Sequence, residues 1–337
     1  MLFSMNSNKM FFLFMLFFST LISISANSWL GCWIGLEINL LSFIPLISNN
    51  NNLLNSEASL KYFLTQSIAS INFLFAIILS MILMKNFFFN NFFSIMINST
   101  LLMKMGSFPF HFWFPNIIEG LSWFNCFLLM TWQKISPMIL LSYYLNINLL
   151  MIIMIFNALV GAIGGFNQTS MRKLMAFSSI NNLGWMMSAL MISETLWMIY
   201  FFLYSFLISI MCFLFYMLNI FYMNQMFNFN FNFSIKISIM INFLSLGGLP
   251  PFLGFFPKWM IINYLISNKL FIISFIFIMM SLIMLIFYIR IIYSSFLFFS
   301  FKFKWFKIFI KNNSLIAINF LSFISLLGMI ISTLFFF

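Results

Sequence analysis

Acid is what this sequence lacks most. It has no aspartate and four glutamates, Glu37, Glu57, Glu119 and Glu194, against 15 lysines and arginines, for a formal charge of +11. Histidine occurs once, as His111, and the three cysteines, Cys32, Cys126 and Cys212, show no C-x-x-C spacing. Three scattered cysteines cannot by themselves hold an iron–sulfur cluster or a zinc ion, and one histidine cannot supply bis-histidine haem ligation. No G-x-G-x-x-G follows a strand and there is no Walker sequence, so no nucleotide site is visible. Redox and nucleotide chemistry are therefore not expected of this chain itself. Valine is nearly absent as well, with Val160 alone against 54 Phe and 29 Met. Phe, Met, Ile, Asn and Lys have A/T-rich codons, so the bias points to an organellar genome.

What is present is apolar. Hydrophobic residues make up 64% of the 337 positions and charged residues 6%, where a soluble domain carries about a quarter charged. Mean hydropathy is +1.10. The chain reads as an all-α integral membrane protein, a single transmembrane bundle over 1–337 with no room for a separate soluble domain. Most Lys and Arg flank apolar runs, where they set topology and meet anionic lipid heads. Phospholipids are the expected partners of that charge, and nucleic acid is not.

About eleven runs are long enough to span the hydrocarbon layer. They cover 10–26, 29–48, 57–84, 92–114, 117–144, 149–167, 173–192, 195–222, 236–267, 271–298 and 314–335. The third, fifth, ninth and tenth are long and are expected to be tilted or broken. The first has a signal-peptide look and is read as a span. Lys9, Lys61, Arg172, Lys173, Lys236, Lys302, Lys304, Lys307 and Lys311 fall on one side, and Lys85 and Lys269 on the other. By the positive-inside rule the N-terminus lies inside and the C-terminus outside. A helix cap is expected at Asn55-Ser56-Glu57, with Glu57 and Lys61 paired at the water interface. The alternation Asn228 to Phe233 predicts an extended connection. Phe301 to Lys311 predicts a headgroup-level amphipathic segment.

The chain is organised around a repeated motif. Lys104-Met105-Gly106-Ser107-Phe108-Pro109-Phe110-His111-Phe112-Trp113-Phe114-Pro115 places a lysine and the histidine beside two prolines that an unbroken helix would not hold. Gly248-Leu249-Pro250-Pro251-Phe252-Leu253-Gly254-Phe255-Phe256-Pro257 repeats Gly, Pro, Phe, Phe and Pro at the same offsets, and Lys258 follows at once. The helix-breaking positions are Gly106, Pro109, Pro115, Gly248, Pro251 and Pro257. Gly/Pro-interrupted segments in two corresponding halves are a mark of repeat-built transporters. The two motifs sit in the fourth and ninth runs, five apart, so they have opposite orientations, as an inverted repeat requires. The chain then divides into N-terminal helices over 1–91 including Glu37, a first repeat over 92–222, the core of a second repeat over 236–298, and a basic loop with a C-terminal helix over 299–337.

Four charges sit deep in these runs. At 1.5 Å per residue Glu37 lies roughly 12 and 16 Å from the ends of its run, and Lys104 about 18 Å beyond Phe92. Lys134 is about 15 Å before Tyr144 and Lys258 about 14 Å before Ser267. A charge near the midplane costs at least ~2.5 kcal/mol and commonly lines a proton or ion path. The plainer readings are a protonated, hydrogen-bonded Glu37 and snorkelling lysines, but snorkelling does not reach a dozen ångströms. Desolvation disfavours an ammonium and a nearby carboxylate favours it, so a lysine between the two can load and release a proton. Glu37 is the partner expected for Lys104, with Lys134 and Lys258 as later stations. His111 is open to a relay or a capping role. Glu119 and Glu194 read as interface groups, and Arg172-Lys173 as a topology anchor.

Five stretches in order carry a resemblance. Trp33 to Leu40, Glu57 to Phe63, Lys104 to Pro115, Arg172 to Ile180 with Gly184-Trp185, and Gly247 to Lys258 are similar to the antiporter-like membrane subunits of respiratory complex I, the NADH:ubiquinone oxidoreductase. The resemblance runs from about Ser28 to Lys258, and the C-terminal part fits by helix count. It implies two five-helix inverted repeats with discontinuous helices at the Gly/Pro motifs, in the shortened mitochondrial form of animals. It also implies roles: Glu37 and Lys104 as a coupled charge pair, Lys134 as central relay and Lys258 as terminal station. The chain would then translocate protons across the mitochondrial inner membrane, driven by quinone reduction elsewhere. Its N-terminus would face the matrix and its C-terminus the intermembrane space. The implied partners are other membrane-arm subunits, neighbouring antiporter-like subunits and phospholipids including cardiolipin. NADH, FMN, iron–sulfur clusters and ubiquinone would belong to other subunits. No histidine lies between Lys134 and Lys258, so water and hydroxyl groups would have to bridge Lys104, Lys134 and Lys258. A free-standing cation/proton antiporter and a purely structural subunit are the competing readings.

Overall fold

The computed structural model describes residues 7–48, 52–83, 90–228, 233–297 and 312–334. The described residues are helical throughout, with one isolated antiparallel bridge, Ser170 to Tyr222. Among the described residues, six helices are long and apolar enough to cross a membrane: α1 (Ser7–Ser25), α2 (Trp29–Ile47), α3 (Leu53–Leu83), α8 (Ile147–Phe166), α10 (Glu194–Leu218) and α14 (Phe271–Leu297).

The other expected runs are broken or fall outside these six. The fourth ends as α4 (Asn90–Met105), and the chain resumes as α5 (Trp113–Gly120). The fifth becomes that α5 together with α6 (Trp123–Met130) and α7 (Trp132–Tyr143), interrupted at Thr131. The seventh is α9 (Met171–Ile192); a short α11 (Met223–Asn228) follows α10. The ninth run splits into α12 (Phe233–Gly247) and α13 (Phe255–Ser267), and α15 (Asn312–Leu334) closes the chain. The long third and tenth runs are single unbroken helices.

Two details differ from the sequence reading. The helix expected to be capped at Asn55-Ser56-Glu57 already begins at Leu53, where the Asn52 carbonyl accepts from Asn55 N and Ser56 N. Glu57 and Lys61 are nonetheless paired, both half-exposed on α3. Asn228 and Phe233, the two ends of the Asn/Phe alternation expected to be extended, are helical, and 229–232 lie outside the described residues. So do Lys85 and the basic stretch 301–311.

The chain divides into two compact units, Met1–Ile153 and Met154–Phe337, with the boundary inside α8. In the first, α2 packs on α1 and α3, and α4 on α3 and α7. Trp33 Nε1 donates to the Ser70 carbonyl at 3.1 Å and Asn125 Nδ2 to the Leu46 carbonyl at 2.9 Å, tying α3 and α6 to α2. In the second unit α9 is buried along most of its length, with Trp185 stacked on Phe277 of α14 at 4.7 Å between ring centroids. The buried serines of α9, Ser178, Ser179 and Ser188, each donate to the carbonyl three residues earlier in the same helix.

Candidate functional site at two broken helices

Both breaks are built alike. α4 and α12 each run into a glycine with left-handed backbone, φ 71° at Gly106 and 81° at Gly248. The next N–H then turns back five residues, Ser107 N to the Leu102 carbonyl at 3.2 Å and Leu249 N to the Leu244 carbonyl at 3.3 Å. This is a Schellman closure, which needs a residue without Cβ strain at the turn. Each break also contains a cis X–Pro bond, Phe108–Pro109 and Pro250–Pro251. Pro115 and Pro257 are the third residues of α5 and α13, where a helix has no intrahelical use for an N–H. Each break is thus a short irregular segment between the C-terminus of one helix and the N-terminus of the next.

Each break carries a buried lysine, on opposite sides of it. Lys104 is in the last turn of α4, two residues before Gly106, and is 7% exposed. Its own carbonyl accepts from the buried Gln66 Nε2 at 3.1 Å. Its ammonium makes no direct hydrogen bond among the described residues, although it feels the charge of Glu37 on α2. Glu37 Oε2 is buried and likewise has no hydrogen-bond partner among them. Leu36, Asn39, Tyr62, Gln66, Lys104, Gln133 and Ser136 line a small cavity of about 10 Å³. Gln133 Nε2 donates to Asn39 Oδ1 at 2.8 Å across it.

Lys134 follows the interruption at Thr131 and is 1% exposed. Its ammonium lies over the Phe114 ring, 5.2 Å from the centroid. A Cβ on Gly106 would come within 2.9 Å of Phe114 Cβ, so the first break and the aromatic ring beside Lys134 are in contact. The first unit thus brings together Glu37, Lys104 and, around the break, Lys134. His111 is buried and sits against Phe112 at 4.1 Å between rings, and it is not among the residues that line the Lys104 cavity.

Lys258 belongs to the second unit and is satisfied differently. Its ammonium donates to the carbonyls of Gly247 at 2.9 Å and Leu246 at 3.3 Å, the last turn of α12, and stands 5.9 Å from the Trp185 ring centroid. A cation at a helix C-terminus is favoured by the dipole as well as by the hydrogen bonds. Asn182, Tyr200, Tyr204 and Ser245 line a cavity beside it, with Tyr200 OH donating to Asn182 Oδ1 at 3.0 Å.

Sequence reasoning found the lysines and missed the amides and hydroxyls around them. Gln133, Ser136 and Pro137 recur at helical spacing on one face of α7, and Leu36, Asn39 and Leu40 on one face of α2. That periodicity was the available signal. It also took Lys236 for a topology-setting flank, whereas Lys236 is 5% exposed near the start of α12. Arg172, read as an anchor, stacks over the Phe221 ring at 4.6 Å.

Comparison with known proteins identifies the family. The family described as "NADH:quinone oxidoreductase/Mrp antiporter, TM" matches residues 26–284. NADH-ubiquinone oxidoreductase chain 2 of Anopheles gambiae is 57% identical over 268 residues, covering 78% of this chain and 79% of that one. The Aedes aegypti protein of the same name is 51% identical over 334 residues, 97% of both chains. Among solved structures, respiratory complex I from Thermus thermophilus with bound aureothin contains a chain of the same fold, with a TM-score of 0.84 at 18% identity, covering 97% of this chain and 79% of that one. The chain is a multi-pass membrane protein and belongs to the NADH:quinone oxidoreductase/Mrp antiporter transmembrane family, among the NADH-ubiquinone oxidoreductase chain 2 proteins of respiratory complex I.

Proposed function

We propose that this chain translocates protons in the membrane arm of complex I through Glu37, Lys104, Lys134 and Lys258, driven by quinone reduction in other subunits. The observation that carries the reading is a buried lysine at each of two similarly broken helices, Lys104 before Gly106 and Lys258 after Gly248. A buried ammonium is expensive unless it is used or fully paired. In this reading Glu37 and Lys104 form the charge pair whose state is set by the neighbouring subunit, Lys134 passes the proton on, and Lys258 is the terminal station. Broken helices provide backbone dipoles that respond to a charge arriving beside them. His111, beside the first break, is a candidate for a further relay group in this reading.

The wider architecture belongs to the same proposal. The chain crosses the mitochondrial inner membrane eleven times as two inverted five-helix repeats in a single bundle, N-terminus in the matrix and C-terminus in the intermembrane space. Its partners are other membrane-arm subunits, including antiporter-like ones, and phospholipids such as cardiolipin. NADH, FMN, iron–sulfur clusters and ubiquinone are handled elsewhere in the complex. The test is Lys104→Met and Glu37→Gln in the assembled enzyme. Both should lower proton translocation and coupled quinone reductase activity while NADH oxidation by an artificial acceptor persists. Full pumping in both variants would remove these residues from the mechanism.

A further inference from the structure

The two breaks are held by different neighbours. At the first, carbonyls in the last turn of α4 accept from side chains: Gln66 Nε2 of α3 donates to the Lys104 carbonyl at 3.1 Å, and Trp113 Nε1 of α5 to the Met103 carbonyl at 3.2 Å. At the second, the irregular segment is held through its backbone by the C-terminal helix. Leu253 N, between α12 and α13, donates to the Ser325 carbonyl of α15 at 3.0 Å. Leu253 is buried, where an N–H needs a partner, and a helix carbonyl keeps a second lone pair beyond the one used in its own ladder.

Ser325 holds the other side of the break as well. Its hydroxyl is shared between the Ser322 carbonyl at 2.8 Å and Asn242 Oδ1 of α12 at 3.2 Å. Ser325 and Asn242 are both fully buried, and Asn242 Nδ2 is itself held by the Ser238 carbonyl at 2.8 Å. One residue of α15 therefore bonds α12 with its side chain and the segment after α12 with its backbone. Gly328, about one turn further along α15, permits the close approach. A Cβ there would fall 2.5 Å from Leu253 Cβ and Cγ, the root of that side chain and not its flexible tip.

These bonds fix the gap that Lys258 spans. Asn242 lies about one turn before Leu246 and Gly247, whose carbonyls accept from the Lys258 ammonium at 3.3 and 2.9 Å. Leu253 directly precedes Gly254, the N-cap of the helix that carries Lys258. We propose that Ser325 and Gly328 are positioning residues for Lys258: α15 clasps the second break on both sides and sets the distance across which the ammonium reaches the end of α12. The clasp stands on geometry alone, and its effect on pumping rests on the proton-relay reading above.

The experiment uses the assembled complex in sealed membranes. Gly328→Ala should lower protons translocated per NADH severalfold and leave NADH oxidation by an artificial acceptor unchanged. A high-resolution map of the same variant should show Lys258 Nζ out of hydrogen-bond distance of the Gly247 carbonyl. Ser325→Ala removes the Asn242 bond without adding volume and should lower pumping less; it replaces Gly328→Ala as the test if that variant does not assemble. Ser322→Ala is the control, since its buried hydroxyl donates to the Asn319 carbonyl at 2.9 Å within α15, and it should pump normally. A loss in Ser322→Ala equal to that in Ser325→Ala overturns the clasp in favour of a general weakening of α15. Normal pumping in Gly328→Ala and Ser325→Ala, with Lys258→Met defective, overturns the positioning role and leaves the relay standing. Normal pumping in Lys258→Met overturns the relay at this station. The clasp is then decided by the map, where a Lys258 still bonded to the Gly247 carbonyl in Gly328→Ala overturns it.

Discussion

Lys258 and Gly248 are fitted to each other: a Cβ on Gly248 would stand 3.0 Å from both Cδ and Nζ of Lys258, in a residue whose φ is 81°. The glycine is required twice, once by its backbone and once by the lysine that folds back over it to reach the Gly247 carbonyl. Gly248→Ala should therefore cost more than the roughly 1–2 kcal/mol of a left-handed L residue. The expected result is a lower thermal inactivation midpoint of the complex together with lost pumping. Gly106→Ala meets the same backbone cost but presses on Phe114 instead, so it should disturb Lys134 indirectly.

Lys258 separates charge from contact. Lys258→Met leaves the carbonyls of Leu246 and Gly247 without their donor, an unsatisfied buried group costing about 1–3 kcal/mol each. Lys258→Arg restores a cation but brings a wider, planar head into a crowded corner beside Trp185. Stability should fall most in the methionine variant and proton translocation should fall in both. Full translocation in Lys258→Met would show that the ammonium is a helix cap and nothing more.

The breaks were legible in the sequence because glycine and proline change what a backbone can do, and they recur at matching offsets. The buried lysines were legible because charge in an apolar run is conspicuous. The cage around Lys104 was not. Asn39, Gln66, Gln133 and Ser136 come from three helices, and asparagine, glutamine and serine are ordinary in loops and at helix ends, so only their convergence marks them. The interruption at Thr131 gave no glycine signal either; Pro137 follows it, and the break falls earlier, at Thr131 itself, with φ −116° and ψ −74°.

The Asn39–Gln133 bond joins α2 to α7 across the cavity, so its two halves should behave as a unit. In a double-mutant cycle, Asn39→Ala and Gln133→Ala are each expected to lower stability, and the double variant by less than their sum. A coupling of about 0.5–1.5 kcal/mol is the magnitude for such a bond. The thermal midpoint of the assembled complex reads it, and strict additivity would mean that the pair is incidental.

Glu57 and Lys61 supply the contrast. They form an i,i+4 pair on α3 with both side chains half-exposed. A pair of that kind contributes about 0.5 kcal/mol or less, since solvent screens it. Lys61→Gln should therefore leave pumping and the thermal midpoint nearly unchanged, which makes it the control for every lysine substitution above. A large loss would mean that α3 carries a surface contact with another subunit at this point.

Arg172 does more than mark a side of the membrane. Its guanidinium lies 4.6 Å over the Phe221 ring, while Met171 N donates to the Phe221 carbonyl at 2.9 Å and Met223 N to the Thr169 carbonyl at 3.0 Å. Gln225 Oε1 accepts from Phe221 N at 2.6 Å and from Tyr222 N at 3.2 Å, so the two connections that flank α9 and α11 are laced together. A cation over an aromatic face contributes about 0.5–1 kcal/mol when exposed and more when desolvated, and arginine's flat head stacks where lysine's does not. Arg172→Lys keeps the topological charge and loses the stack. If topology were the whole role, Arg172→Lys would match the native protein in hydrogen exchange of the Phe221 to Gln225 amides. The stacking geometry predicts instead that these amides exchange faster in Arg172→Lys and faster still in Arg172→Leu, with the α9 amides around Trp185 unchanged in the lysine variant.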